Sequence, residues 1–90
     1  MQVTKAEVAV WLKQWDADNL AEADLENKAI FKACFTQLEQ FNGKQLLKHI
    51  TKGAKGTQQG FCKDYTGNAN HGLCSNLYID LCEWLGAGNW

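Results

Sequence analysis

Residues 20–43, LAEADLENKAIFKACFTQLEQFNG, decide how the chain is read. At a helical step of ~100° per residue, Phe31, Cys34, Phe35, Leu38 and Phe41 fall within one arc of about 120°. Leu20 and Ala23 extend that arc backwards. Asn42-Gly43 reads as a C-terminal stop, because glycine tolerates the left-handed cap conformation. The stretch therefore predicts one long amphipathic helix over 20–42 with an aromatic stripe. Asp24 and Asn27 interrupt the arc. They read as first turns that project beyond the core, with a buried polar pair that fixes register as the alternative.

Upstream, Thr4-Lys5-Ala6-Glu7 has the spacing of a capping box: the threonine hydroxyl takes one free N–H and the glutamate reaches back to the cap. A first helix is expected over 5–16. Val8, Trp11, Leu12 and Trp15 form its main stripe, and Val3, Ala6, Val10 and Ala17 fall on roughly the opposite side. Small apolar residues are tolerated on surfaces. A helix apolar on both sides is also the pattern of one that meets a partner or a second copy of itself. Asp16 to Asn19 break the pattern, as cap and turn residues do.

Downstream, KQLLKHITKG predicts a short helix over 44–52 with Leu46, Leu47 and Ile50 inward. Lys44, Lys48 and Lys52 recur every four residues on its other side. They read as a solvated face or, with Lys55, as an anion-facing ridge. The texture then changes. Residues 53–72 hold five of the eight glycines and read as a long loop. Phe61, Lys63 and Tyr65 alternate with Gly60, Cys62 and Asp64, so a short hairpin is possible within it. Its Gly-Ala-Lys-Gly-Thr run lacks the spacing of a P-loop. LCSNLYIDLCEWLG predicts a last helix over 73–85, with Leu73, Leu77, Leu81 and Trp84 as its stripe, packed against the long central helix.

The expected fold is thus mainly α: a small single domain over 1–90 with four helices and a glycine-rich excursion before the last. Ninety residues suffice for one core that buries ~60–65% of the unfolded surface. Hydrophobic residues are 46% and charged residues 21%, which excludes a disordered chain. The net charge is −1 and all nine basic residues are lysine, so nucleic acid is an unlikely partner: no arginine fork is available. No run approaches the ~18 apolar residues of a membrane span, and the N-terminal residues do not pattern as a secretory signal. A cytoplasmic location is expected, and with it four cysteines that remain thiols.

Candidate chemistry is sparse. Cys62, His71, Cys74 and Cys82 have the residue types of tetrahedral zinc, but no tight Cys-x2-4-Cys pair is present. Cys74 in a first helical turn, three residues after His71, could form a nucleophilic pair; nothing supplies an oxyanion hole or substrate pocket. Four tryptophans favour interaction, since Trp and Tyr anchor interfaces. The expectation is a non-catalytic interaction protein without a cofactor, which blocks a partner in a bacterial host cell. Its size and composition suit a phage or mobile-element inhibitor, anti-defence or anti-CRISPR-like in kind. Val3, Val10, Phe61, Tyr65 and Trp90 are its candidate contacts. A small nucleotide- or anion-binding module built on the lysine ridge and the 53–72 loop is the second reading, and a zinc-stabilised domain the third.

Overall fold

The computed structural model describes residues 3–52 and 56–86. They form five helices: α1 (Lys5–Asn19), α2 (Leu25–Leu38), α3 (Gly43–Thr51), α4 (Gln58–Thr66) and α5 (Gly72–Trp84). There is no strand among the described residues. The all-helical expectation holds; the count of four becomes five, and several boundaries move.

Side-chain caps account for each of the helix starts. The Thr4 hydroxyl accepts from the Glu7 N–H at 3.1 Å and the Glu7 carboxylate accepts from the Thr4 N–H at 3.1 Å, which is the expected capping box. Asp24 is the N-cap of α2: its carboxylate accepts from the Asn27 N–H at 2.7 Å. An aspartate in that role starts a helix. The single helix expected over 20–42 is therefore shortened at both ends, to Leu25–Leu38. α1 runs on to Asn19, Leu20 caps it with a fully buried side chain, a turn follows, and α2 starts at Leu25 and stops at Leu38.

Asn42-Gly43 is likewise a beginning and not a stop. Asn42 accepts from the Gln45 N–H at 2.8 Å and Gln45 returns the bond at 3.1 Å, a second capping box that opens α3. Gly43 is buried there. A Cβ on it would meet the Val3 Cβ at 2.5 Å, and its N–H donates to the Val3 carbonyl at 2.8 Å. Glycine is required at this position for close approach, with the N-terminal strap running across the start of α3.

The expected 53–72 loop contains α4. Thr57 caps it by accepting from the Gly60 N–H at 3.0 Å, and Gly67 ends it in the left-handed region at φ 78°. The possible hairpin is absent because the alternation of Phe61, Lys63 and Tyr65 is incidental. The pairs that matter are helical: Phe61 and Tyr65, four residues apart, meet with ring centroids 4.9 Å apart and planes tilted by 51°, and Phe61 and Cys62 are both fully buried. α5 consequently packs most closely on α4, where the sequence suggested the central helix.

The core is one cluster in which Val8, Leu12 and Trp15 from α1 meet Phe31, Cys34 and Leu38 from α2 and Leu77 and Leu81 from α5, with Leu46, Ile50 and Phe61 from the short helices. No described helix is long and apolar enough to cross a membrane.

Candidate protein-docking groove

The site is built by α1 and α5. Trp15 is buried and its indole N–H donates to the Asp80 carboxylate at 2.8 Å. One turn earlier on α1 and one turn later on α5, Trp11 and Trp84 stack with centroids 4.9 Å apart and planes 8° apart. The pairings 15 with 80 and 11 with 84 run in opposite directions, so the two helices lie antiparallel along this seam. Parallel offset stacking of aromatic rings contributes roughly 0.5–1.5 kcal/mol beyond the area it buries.

Unlike Trp15, both rings of the stack remain partly exposed. They floor an apolar depression of about 480 Å³ lined by Ala6, Glu7, Val10, Trp11, Gln14 and Trp84. A second, of about 250 Å³, adjoins it through Trp11 and Gln14 and ends on Trp15, Asp18, Asn19 and Asp80. Together they form one shallow groove along α1. Val10 is 68% exposed on its edge, in contrast to the 0% of Val8. The carboxylates of Glu7, Asp18 and Asp80 line it, and no lysine does.

The residues singled out in the sequence take different places. Val10 lies in the groove. Val3 is half-buried, and its carbonyl is engaged by Gly43. Phe61 is fully buried in the core and is no surface contact, because α4 turns it inward. Tyr65 is half-buried, its hydroxyl 2.6 Å from the His49 Nε2. Lys44 and Lys48 are exposed on α3, and Lys52 is exposed just past its end, where the extended cap takes it off the helical ridge expected over 44–52. Lys55 and Trp90 lie outside the described residues.

His71 caps α5: its Nδ1 accepts from the Cys74 N–H at 3.2 Å. Nε2 therefore carries the ring proton and donates to the Asn27 Oδ1 at 2.9 Å. Both ring nitrogens are engaged, and Asn27 is the tie between α2 and α5. Cys62 lies beside Cys74 and 3.5 Å from the Ser75 hydroxyl, whereas Cys82 pairs with Tyr78 on another side of α5. Cys62, His71, Cys74 and Cys82 are not gathered round one point. Among the described residues no group of three or more His, Cys, Asp or Glu side chains could hold a metal ion.

The four cysteines are free and buried. Burial, reinforced by the neighbouring Cys62, pushes the Cys34 thiol up to about 12. The same two causes raise Cys74 still further, the reverse of what a nucleophile at a helix start needs.

Trp84, Asp18 and Asp80 were not singled out as contacts in the sequence. Trp84 shares the periodicity of the inward stripe, and only the partner opposite it leaves a wet face. Comparison of the chain with family models, with curated proteins and with solved structures finds no match.

Proposed function

We propose that this chain is a non-catalytic binding protein that docks on a partner protein through the α1–α5 groove and acts by covering the surface it binds. The observation that carries the reading is the Trp11–Trp84 stack, partly exposed at the surface next to the 68% exposed Val10. Paired indoles fixed by their own contact lose little side-chain freedom on binding, which is why such groups dominate interface energetics. The chemistry of the cysteines and of His71 supports the same reading. Thiols held protonated are poor nucleophiles, and both ring nitrogens of His71 are taken up by hydrogen bonds within the fold. A blocking role of the phage or mobile-element kind remains the biological setting to which size and composition point.

The test is affinity capture from bacterial lysate with the intact chain, with Val10→Lys as the interface variant and Lys48→Glu as a distant control. A partner retained by the parent and by Lys48→Glu, and lost with Val10→Lys, is the expected result. Retention by all three removes the groove from the account.

A further inference from the structure

The groove has a sign as well as a shape. We infer that its occupant is a basic amphipathic helix of the partner protein, with lysine or arginine side chains set beside an apolar stripe; this rests on the groove reading above and specifies its ligand. The apolar stripe would lie on Val10 and the Trp11–Trp84 stack, and the cations would reach Glu7, Asp18 and Asp80. Cations held over indole faces gain further attraction from the ring quadrupole.

Three observations lead to this class of partner. The carboxylates sit on the groove, while neither lysine of α1 lines it, Lys13 facing the α2 cleft instead, and α5 contains no basic residue at all. Charge complementarity then selects the sign of the partner and raises its association rate. The walls are two antiparallel helices, and from Ala6 to Asn19 the groove is ~20 Å long at 1.5 Å per residue, the span of a helix of about 14 residues. Finally, a symmetric pair of chains meeting through this face would set the patch that carries Glu7, Asp18 and Asp80 against an identical acidic patch, because a two-fold interface apposes each patch to itself. Like charges argue against self-docking and for a cationic partner.

The experiment uses the whole chain and a dye-labelled Leu/Lys amphipathic peptide of about 14 residues, the length set by the groove, with fluorescence anisotropy as the readout. A Leu/Glu peptide of the same pattern is the counter-probe. Saturable binding of the Leu/Lys peptide alone is expected, weakened about tenfold by Asp18→Lys or Val10→Lys and by raised salt. Glu22→Lys and Glu26→Lys, which carry the charge change of Asp18→Lys away from the groove, leave affinity within about twofold, since exposed distant charges are screened. Circular dichroism and melting confirm that each variant is folded.

Equal weakening by all four charge changes would mean diffuse attraction and overturn the inference. So would equal binding of the Leu/Glu peptide, or sedimentation showing a dimer that Val10→Lys dissolves. A captured partner that depends on Val10 while the Leu/Lys peptide fails to bind leaves the groove reading standing and removes only the basic helix.

Discussion

The two flanks of α1 differ in charge, in chemistry and in what lies beneath them. Toward α5 the helix presents Glu7, Trp11, Gln14 and Asp18 to a groove floored by stacked indoles. Toward α2 it presents Lys13 and Asp16 to an open cleft of about 610 Å³, across which stand Lys28, Lys32, Thr36 and Glu39 with Phe35. The first flank pairs apolar surface with carboxylates alone. The second mixes lysines with acids around one half-buried ring, a solvated arrangement of long side chains. A net charge of −1 conceals this difference. Net charge describes the field at a distance, whereas recognition depends on which signs share a surface.

The largest effect belongs to the residue that supports both flanks. Trp15 packs on Phe31 and Phe35 and bonds Asp80. Trp15→Ala should cost ~3–5 kcal/mol in urea unfolding, from the cavity and from an unpartnered Asp80. A loss below ~1 kcal/mol would show that the flanks do not share one foundation.

Gly43→Ala comes next. The added methyl meets the Val3 Cβ, a branched and inflexible neighbour, and a cost of ~1–3 kcal/mol is expected. Chemical-denaturation midpoints measure it. Because Val3 leads directly into α1, hydrogen exchange in Thr4–Val8 should rise in the same variant; unchanged exchange would place the strain elsewhere.

The third effect concerns the core behind both flanks. Cys34, buried on α2 near Cys62 of α4, keeps its proton in the native chain up to about 12, above the ordinary 9.0 of a thiol. Over that interval the unfolded chain has lost a proton that the folded chain retains. The stabilisation from this group is therefore complete below about pH 9 and lost as pH rises toward 12. Stability should fall by ~1.4 kcal/mol per pH unit for this one proton. Cys34→Ala should make the fall shallower by that amount while lowering stability at neutral pH. An unchanged slope would assign the alkaline loss to other groups, among which Cys74 and Tyr65 are raised by burial too.

The smallest effects are the surface ones, and they sharpen the contrast most. Val10→Lys and Lys28→Glu should each leave stability within ~0.5 kcal/mol, since neither side chain is part of the core. Only the first should abolish partner capture. If Lys28→Glu abolishes it as well, the α2 flank is part of the interface and the two sides of α1 act together.

Much of this architecture is legible in the chain. The Thr4/Glu7 box, the stripe Val8, Leu12, Trp15 and the stripe Leu77, Leu81 are read correctly from spacing. The Asn42/Gln45 box has equally clear spacing, but the glycine between them invites a stop signal. Asp24 reads as an intrusion on an apolar arc because a cap and a solvated helix position have the same residue type. α4 is hidden by its glycine-rich surroundings and by a chance period of two.

Helix type, caps and inward stripes are properties of residues within about four positions of one another, where a side chain bonds its own backbone or shares a helix face. The chain encodes these locally, and the all-helical class follows from them. Which tryptophan is buried and which is left at the surface depends on the element opposite. Trp15 and Asp80 are 65 positions apart, and Trp11 and Trp84 farther still. No local period distinguishes Trp11 from Trp15. Phe31 and Phe35 of α2 help to bury Trp15, whereas Trp11 stacks on the half-exposed Trp84 of α5 and stays wet, and that choice is made by close packing of the whole core.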